Sequence, residues 1–254
     1  MVFDRFTLEG KVAIVTGAGR GLGQTMALAL ARAGAAVVAV ARTEREVQET
    51  ADAVSKLGRT GLAAPLSVTD SKSVDQLIER VVKQLGGVDI LINNAGGEFS
   101  PGKAVTELSD EEWSQILNTN LTGAFYCARA AGRYMLSRGR GRVINVTCIY
   151  GMRGSVNHAA YASAKGGLIQ FSQALALEWA TGGVTVNALG IGWFEHPREL
   201  QADAETIEQL KRAIPRGRLG LPSDVESALI YLASDASRYF TGQSIWLDGG
   251  ILCR

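Results

Sequence analysis

The sequence predicts an α/β fold: a doubly wound, Rossmann-type parallel sheet with helices on both faces. Three observations carry this. Short apolar runs of strand length alternate six times with helix-period segments, which implies right-handed βαβ crossovers. The strand runs are apolar nearly throughout instead of alternating with polar residues, as a sheet covered on both sides requires. A cluster of glycines follows the first strand directly, where folds of this kind bind phosphates.

The elements follow in order. The first strand is placed at 11–16 and closes on Gly17. The first helix, 21–34, carries Leu22, Met26, Leu28 and Leu30 and ends at a glycine. A strand at 35–41 leads to a polar-faced helix at 43–57, a short strand at 62–66 to a helix at 71–85, and a fourth strand lies at 88–93. One long helix is expected over 110–137, started by capping at Ser109 or Asp110. A strand at 142–148 precedes a second long helix at 159–181 and a strand at 184–189. A helix at 223–234 starts after a proline, and 244–247 is the final strand. No repeat, linker or composition break appears. Residues 1–254 are therefore expected to form a single dinucleotide-binding domain, with a small irregular excursion on the substrate side near 190–214.

Composition removes several functional classes. Hydrophobic residues make up 46% of the 254 and charged residues 20%, which excludes global disorder. Lys plus Arg number 26 against 25 Asp plus Glu, so the formal charge is +1. That balance gives no electrostatic footprint for nucleic acid or an anionic membrane, and neither is expected as a partner. Charges interrupt the N-terminal stretch that a signal peptide would keep apolar, and no run reaches the roughly 18 apolar residues of a membrane span. Cys127, Cys148 and Cys253 are too few and too scattered for a disulfide framework or a zinc site, so no metal is expected. These features predict a cytoplasmic protein.

The glycine cluster reads Thr16-Gly-Ala-Gly-Arg-Gly-Leu-Gly23. Gly17, Gly19, Gly21 and Gly23 let the backbone turn and approach a pyrophosphate, with Arg20 and Leu22 between them, and the helix start supplies free N–H groups. An adenosine ribose is usually read by an acid at the end of the second strand. Here that strand ends Val40-Ala41-Arg42, with no acid at its tip. Arg20 and Arg42 suit a 2′-phosphate, since planar guanidinium forks bind phosphate bidentately. NADP(H) is the expected cofactor and NAD(H) the alternate; the competing reading is two solvated surface arginines. Asn93-Asn94-Ala95-Gly96 closes the fourth strand at the ligand-facing edge of the sheet. There Asn94, Ala95 and Gly96 suit an adenine contact, a hydrogen-bonded turn, or both.

Tyr161 and Lys165 stand four residues apart and share one face of a helix. A neighbouring ammonium favours the ionised phenol and draws its pKa down from about 10. Such a phenol suits general acid–base work on an alkoxide.

Taken together, the glycine loop, the Asn-Asn-Ala-Gly strand end and Tyr-x-x-x-Lys, in that order, resemble the short-chain dehydrogenase/reductase family. The resemblance covers essentially the whole chain. Its opening residues 8–26 and closing residues 248–252 look most like the sugar-acid branch, of the gluconate 5-dehydrogenase and 2-keto-3-deoxygluconate dehydrogenase kind. It implies a seven-stranded sheet of order 3-2-1-4-5-6-7 and a homotetramer. It also implies that Tyr161 and Lys165 are catalytic, that Lys165 binds the nicotinamide ribose, and that Asn120 supports a proton relay. Val68, Gly192 and Phe194 complete the expected cofactor contacts.

Three departures from the family pattern stand out. The carbonyl-polarising serine of the family lies thirteen residues before the tyrosine, and here that position is Cys148. A thiol is a weak donor, and losing a good donor to an oxyanion costs on the order of 10²–10³ in rate. Cys148 therefore reads as a weak carbonyl-orienting group, a small strand residue or, less simply, a nucleophile. Adjacent Thr147 should point to the opposite face of its strand. Ile191-Gly192 replaces the family's Pro-Gly, and His196, followed by Pro197, replaces its usual threonine.

Substrate lining is expected from residues 97–100, 151–158 and 193–200. Trp193 and Phe194 form a candidate apolar wall, and Glu98, Arg153, Glu195, His196 and Arg198 are candidate polar contacts. The expected activity is interconversion of a secondary alcohol and a ketone on a small polar or cyclic substrate. The alternative is a cofactor-binding homologue with little or no catalysis, acting as a sensor or in assembly.

Overall fold

The computed structural model describes residues 3–97, 102–195 and 203–254. Its strands are β1 (Val12–Thr16), β2 (Ala36–Ala41), β3 (Gly61–Pro65), β4 (Ile90–Asn93), β5 (Gly141–Cys148), β6 (Val184–Ile191) and β7 (Ser244–Leu247). They form one parallel sheet in the order β3-β2-β1-β4-β5-β6-β7. The expected fold and strand order are thus observed.

Alternate residues of each strand feed two apolar layers. Ala13, Val15, Val37 and Ala39 face α1 (Gly21–Arg32), α2 (Glu44–Lys56) and α8 (Glu226–Ala233). Val12, Ile14, Val38 and Val40 face α3 (Ser71–Leu85) and α5 (Gly123–Ser137), the layer that α6 (Ala159–Trp179) also joins. Burial on both sides explains why the strand sequences show no polar alternation. The strand order reverses between β1 and β4, so a crevice opens at their carboxyl ends, where ligands of such sheets bind.

A buried polar thread crosses the second layer. Asn93 Nδ2 donates to Asn145 Oδ1 (2.8 Å), Asn145 Nδ2 to Ser172 Oγ (2.8 Å), and Ser172 Oγ to the Leu168 carbonyl (2.7 Å). It links β4, β5 and α6 side by side.

Four expectations need correction. The single helix over 110–137 is two helices, α4 (Asp110–Leu117) and α5, joined by a π-helical turn at Asn118–Thr122. Apolar periodicity runs through both pieces, and the register shift leaves no mark in it. Of the two capping candidates, Ser109 forms a full capping box with Glu112. The stretch 190–214 is not wholly irregular: α7 (Ala204–Ala213) lies within it, capped by Asp203, whose side chain accepts from the Thr206 N–H at 2.8 Å. None of its residues is buried, so it lacks the fully apolar stripe that would have announced it. The helix at 223–234 opens with a 3₁₀ turn, Pro222–Val225, and becomes α-helical only at Glu226. Finally, β6 runs on to Ile191 because β5 pairs with it as far as Cys148. Among the described residues, no helix is long and apolar enough to cross a membrane.

Candidate active site

A cleft of about 1210 Å³ opens at the carboxyl edge of the sheet. Thr16 organises its floor. Its hydroxyl accepts from the N–H groups of Asn94 (3.0 Å) and Ala95 (2.9 Å) and donates to the Ile92 carbonyl (3.2 Å). Asn94 Nδ2 returns a bond to the Thr16 carbonyl (3.0 Å). The end of β1 is thereby tied to the end of β4. Gly17 turns here at φ +68°, and a Cβ on it would stand 2.9 Å from the Ala95 Cα, so this position requires glycine twice over.

Helix α1 then starts without a side-chain cap: Arg20 occupies the N-cap and bonds nothing there. An uncapped helix start at the edge of a glycine-lined cleft is chemically an anion site. Gly17, Gly19, Arg20, Leu22, Gly23, Arg42, Val68, Asn94, Ala95, Gly96, Gly192 and Phe194 all line the cleft. Gly21 does not; it opens α1 at φ +59°. The donor set therefore fits a dinucleotide phosphate, and Arg20 and Arg42 line the same cleft with exposed side chains.

Tyr161 and Lys165 lie one turn apart on α6, and both line the cleft. Lys165 Nζ sits over the phenol ring, 5.6 Å from its centroid. The amine is buried and donates to the Val146 carbonyl at 3.0 Å. Burial pushes its pKa below the ordinary lysine range, and the neighbouring Cys148 sulfur pulls the other way. The unfolded chain thus binds more protons in the window between that lowered value and about 10.4. Stability attributable to Lys165 accordingly rises with pH through this window. Lys165→Met removes the slope, which urea midpoints taken from about pH 8 to 10 will show as a flatter profile.

Cys148 ends β5, half-buried, and lines the cleft with Tyr161 and Lys165. Thr147 turns its hydroxyl toward α6, donating to the Lys165 carbonyl (3.0 Å), and the residue also borders the cleft. Asn120 does not line the cleft. It is buried in the π-helical turn, one layer behind. Its Nδ2 donates to the carbonyls of Ile116 (2.9 Å) and Gly97 (3.0 Å), and its Oδ1 accepts the Gly97 N–H (3.0 Å). It holds the backbone after β4 in place. π-helical turns of this kind are frequent at functional sites.

On the substrate side, Trp193 and Phe194 line the cleft as expected. Phe194 is 5% exposed and packs against Gly220, so its ring forms wall more than surface. Arg153 and Glu195 lie outside the cleft lining. Glu98, His196 and Arg198 lie outside the described residues. Sequence reading missed Tyr150, which lines the cleft with its ring 5.0 Å from that of His158, and Glu46, which reaches the cofactor side from α2. Position two after Cys148 was the available signal for Tyr150.

Against known proteins, the family model described as enoyl-(acyl carrier protein) reductase, of the short-chain dehydrogenase/reductase type, matches residues 17–252. The chain belongs to the short-chain dehydrogenase/reductase family. Among relatives of this dehydrogenase/reductase, a 3-oxoacyl-(acyl-carrier-protein) reductase of Vibrio cholerae is 39% identical over 244 residues, 96% of this chain and 98% of that one. A 2-dehydro-3-deoxy-D-gluconate 5-dehydrogenase of Escherichia coli is 35% identical over 257 residues, covering 100% of both. The crystal structure of a gluconate 5-dehydrogenase from Burkholderia cenocepacia, in complex with NADP and tartrate, superposes with a TM-score of 0.95 at 33% identity, covering 100% of each chain. As a member of this family, the dehydrogenase/reductase is an oxidoreductase.

Proposed function

We propose that this chain catalyses NADP(H)-dependent interconversion of a secondary alcohol and a ketone on a small polar or cyclic substrate. The observation that carries the proposal is the phenol–amine pair on α6 facing the same cleft as the uncapped, glycine-lined start of α1. When bound, the nicotinamide supplies or accepts the hydride. In reduction, Tyr161 Oη gives its proton to the carbonyl oxygen and Lys165 stabilises the resulting phenolate. Lys165 also holds the nicotinamide ribose, Asn120 supports the path that returns the proton, and Cys148 orients the carbonyl weakly. Arg20 and Arg42 hold the 2′-phosphate. NADP in three solved relatives, including the gluconate 5-dehydrogenase, supports the cofactor choice. The sugar-acid names among relatives support a small polar substrate.

The proposal includes a homotetramer in the cytoplasm. Phe125 on α5 and Leu177 on α6 remain exposed apolar residues that assembly would cover. The activity is tested by following NADPH consumption with a panel of keto acids and cyclic ketones. Turnover of at least one class is expected. Saturable NADPH binding without any turnover would instead support the non-catalytic alternative that Cys148 raises. Arg42→Ala is expected to lower the NADPH-over-NADH ratio of kcat/KM by about 10- to 100-fold, the range set by one charge-assisted phosphate contact.

A further inference from the structure

The first turn of α2 reads Thr43-Glu44-Arg45-Glu46, the spacing of a capping box, in which the final carboxylate returns to the backbone of the first residue. The same spacing at Ser109–Glu112 does form that box. At α2 it does not. The Thr43 side chain caps nothing, and the Glu46 carboxylate has neither a hydrogen bond nor an ion pair among the described residues. It turns away, half-buried, into the cleft that Arg20 and Arg42 also line. Its Oε2 lies 2.8 Å from where a Cβ on Gly19 would stand, so the missing side chain of Gly19 is what makes room for it.

A carboxylate in this place is unexplained by a site built for a dianion. Two guanidinium groups attract a 2′-phosphate; a carboxylate lining the same cleft repels it. The same carboxylate is a good acceptor for a ribose 2′-hydroxyl. Folds of this type usually present that acceptor at the end of the second strand. Here β2 ends at Ala41, Arg42 follows, and the acid arrives one helical turn later. We infer that Glu46 is a specificity-determining residue for the cofactor, accepting a hydrogen bond from the unphosphorylated ribose and opposing the 2′-phosphate, so that the enzyme uses NADH alongside NADPH. The inference rests on the cofactor reading proposed above.

Glu46→Gln keeps the shape and removes the charge. Dissociation constants for NADPH and NADH are measured by nicotinamide fluorescence titration on the wild type, Glu46→Gln and Arg42→Ala. Glu46→Gln is expected to tighten NADPH about tenfold and to weaken NADH, with the NADPH gain shrinking as salt screens the cleft. An unchanged ratio of the two constants, whether or not the melting temperature moves, overturns the inference and leaves Glu46 a helix-end charge. If Arg42→Ala lowers the NADPH preference while Glu46→Gln leaves it untouched, the inference falls and the cofactor reading stands. If the wild type binds neither dinucleotide, both fall.

Discussion

Tyr161→Phe is expected to lower kcat by on the order of 10²–10⁴ while NADPH binding stays within a factor of about two. The substitution removes one oxygen from a side chain whose ring stays packed beneath the Lys165 amine. If the phenol supplies the proton, its loss falls on the chemical step, and a steady-state split should show kcat falling with the cofactor KM unchanged. Equal loss of kcat and of cofactor affinity would assign Tyr161 to binding and end the acid–base account. Replacing Lys165 is a poorer test of the same idea. Its amine also holds the Val146 carbonyl of β5, so a substitution there disturbs the strand that carries Cys148.

Cys148→Ser is expected to raise kcat by about 10- to 100-fold, below the 10²–10³ measured when an oxyanion donor is deleted outright, because the thiol retains weak donor capacity. The site is prepared for the change. Cys148 stands at the strand end, in the cleft shared by Tyr161 and Lys165, and serine is the smaller side chain. A fall in kcat on the substrate with the highest kcat/KM would overturn the weak-donor account and turn attention to chemistry that needs the sulfur itself.

The fold was legible because burial writes itself into sequence. Strands covered on both faces are apolar nearly throughout, and seven largely apolar runs stood where seven strands are found. The glycine turn was legible for a related reason: at Gly17 a side chain would collide with the end of β4, so the backbone geometry leaves one residue type. What escaped was structure whose signal is shared with something commoner. The π-helical turn at Asn118–Thr122 keeps helical periodicity on either side, and α7 has no fully buried residue, with Leu210 only partly covered. Glu46 carried the spacing of a helix cap, and only in the folded chain does the carboxylate face the other way. Asn120 was found by motif, but the motif gave no sign that its side chain binds the backbone at Gly97 from within the π-helical turn.

The amide-and-hydroxyl chain from Asn93 through Asn145 to Ser172 has a bearing on how the molecule finds its register. Dispersion between aliphatic side chains tolerates sliding; a chain of directional bonds in a dry interior does not. Shifting β4, β5 or α6 by one residue would strand two carboxamides without counterparts, at about 1–3 kcal/mol for each orphaned group. Of the three elements it indexes, β4 runs directly into Asn94, β5 ends at Cys148 and α6 bears Tyr161 in its first turn. An oily interlayer thus acquires a vernier, and the reacting groups inherit their mutual alignment from polar atoms that never meet a ligand.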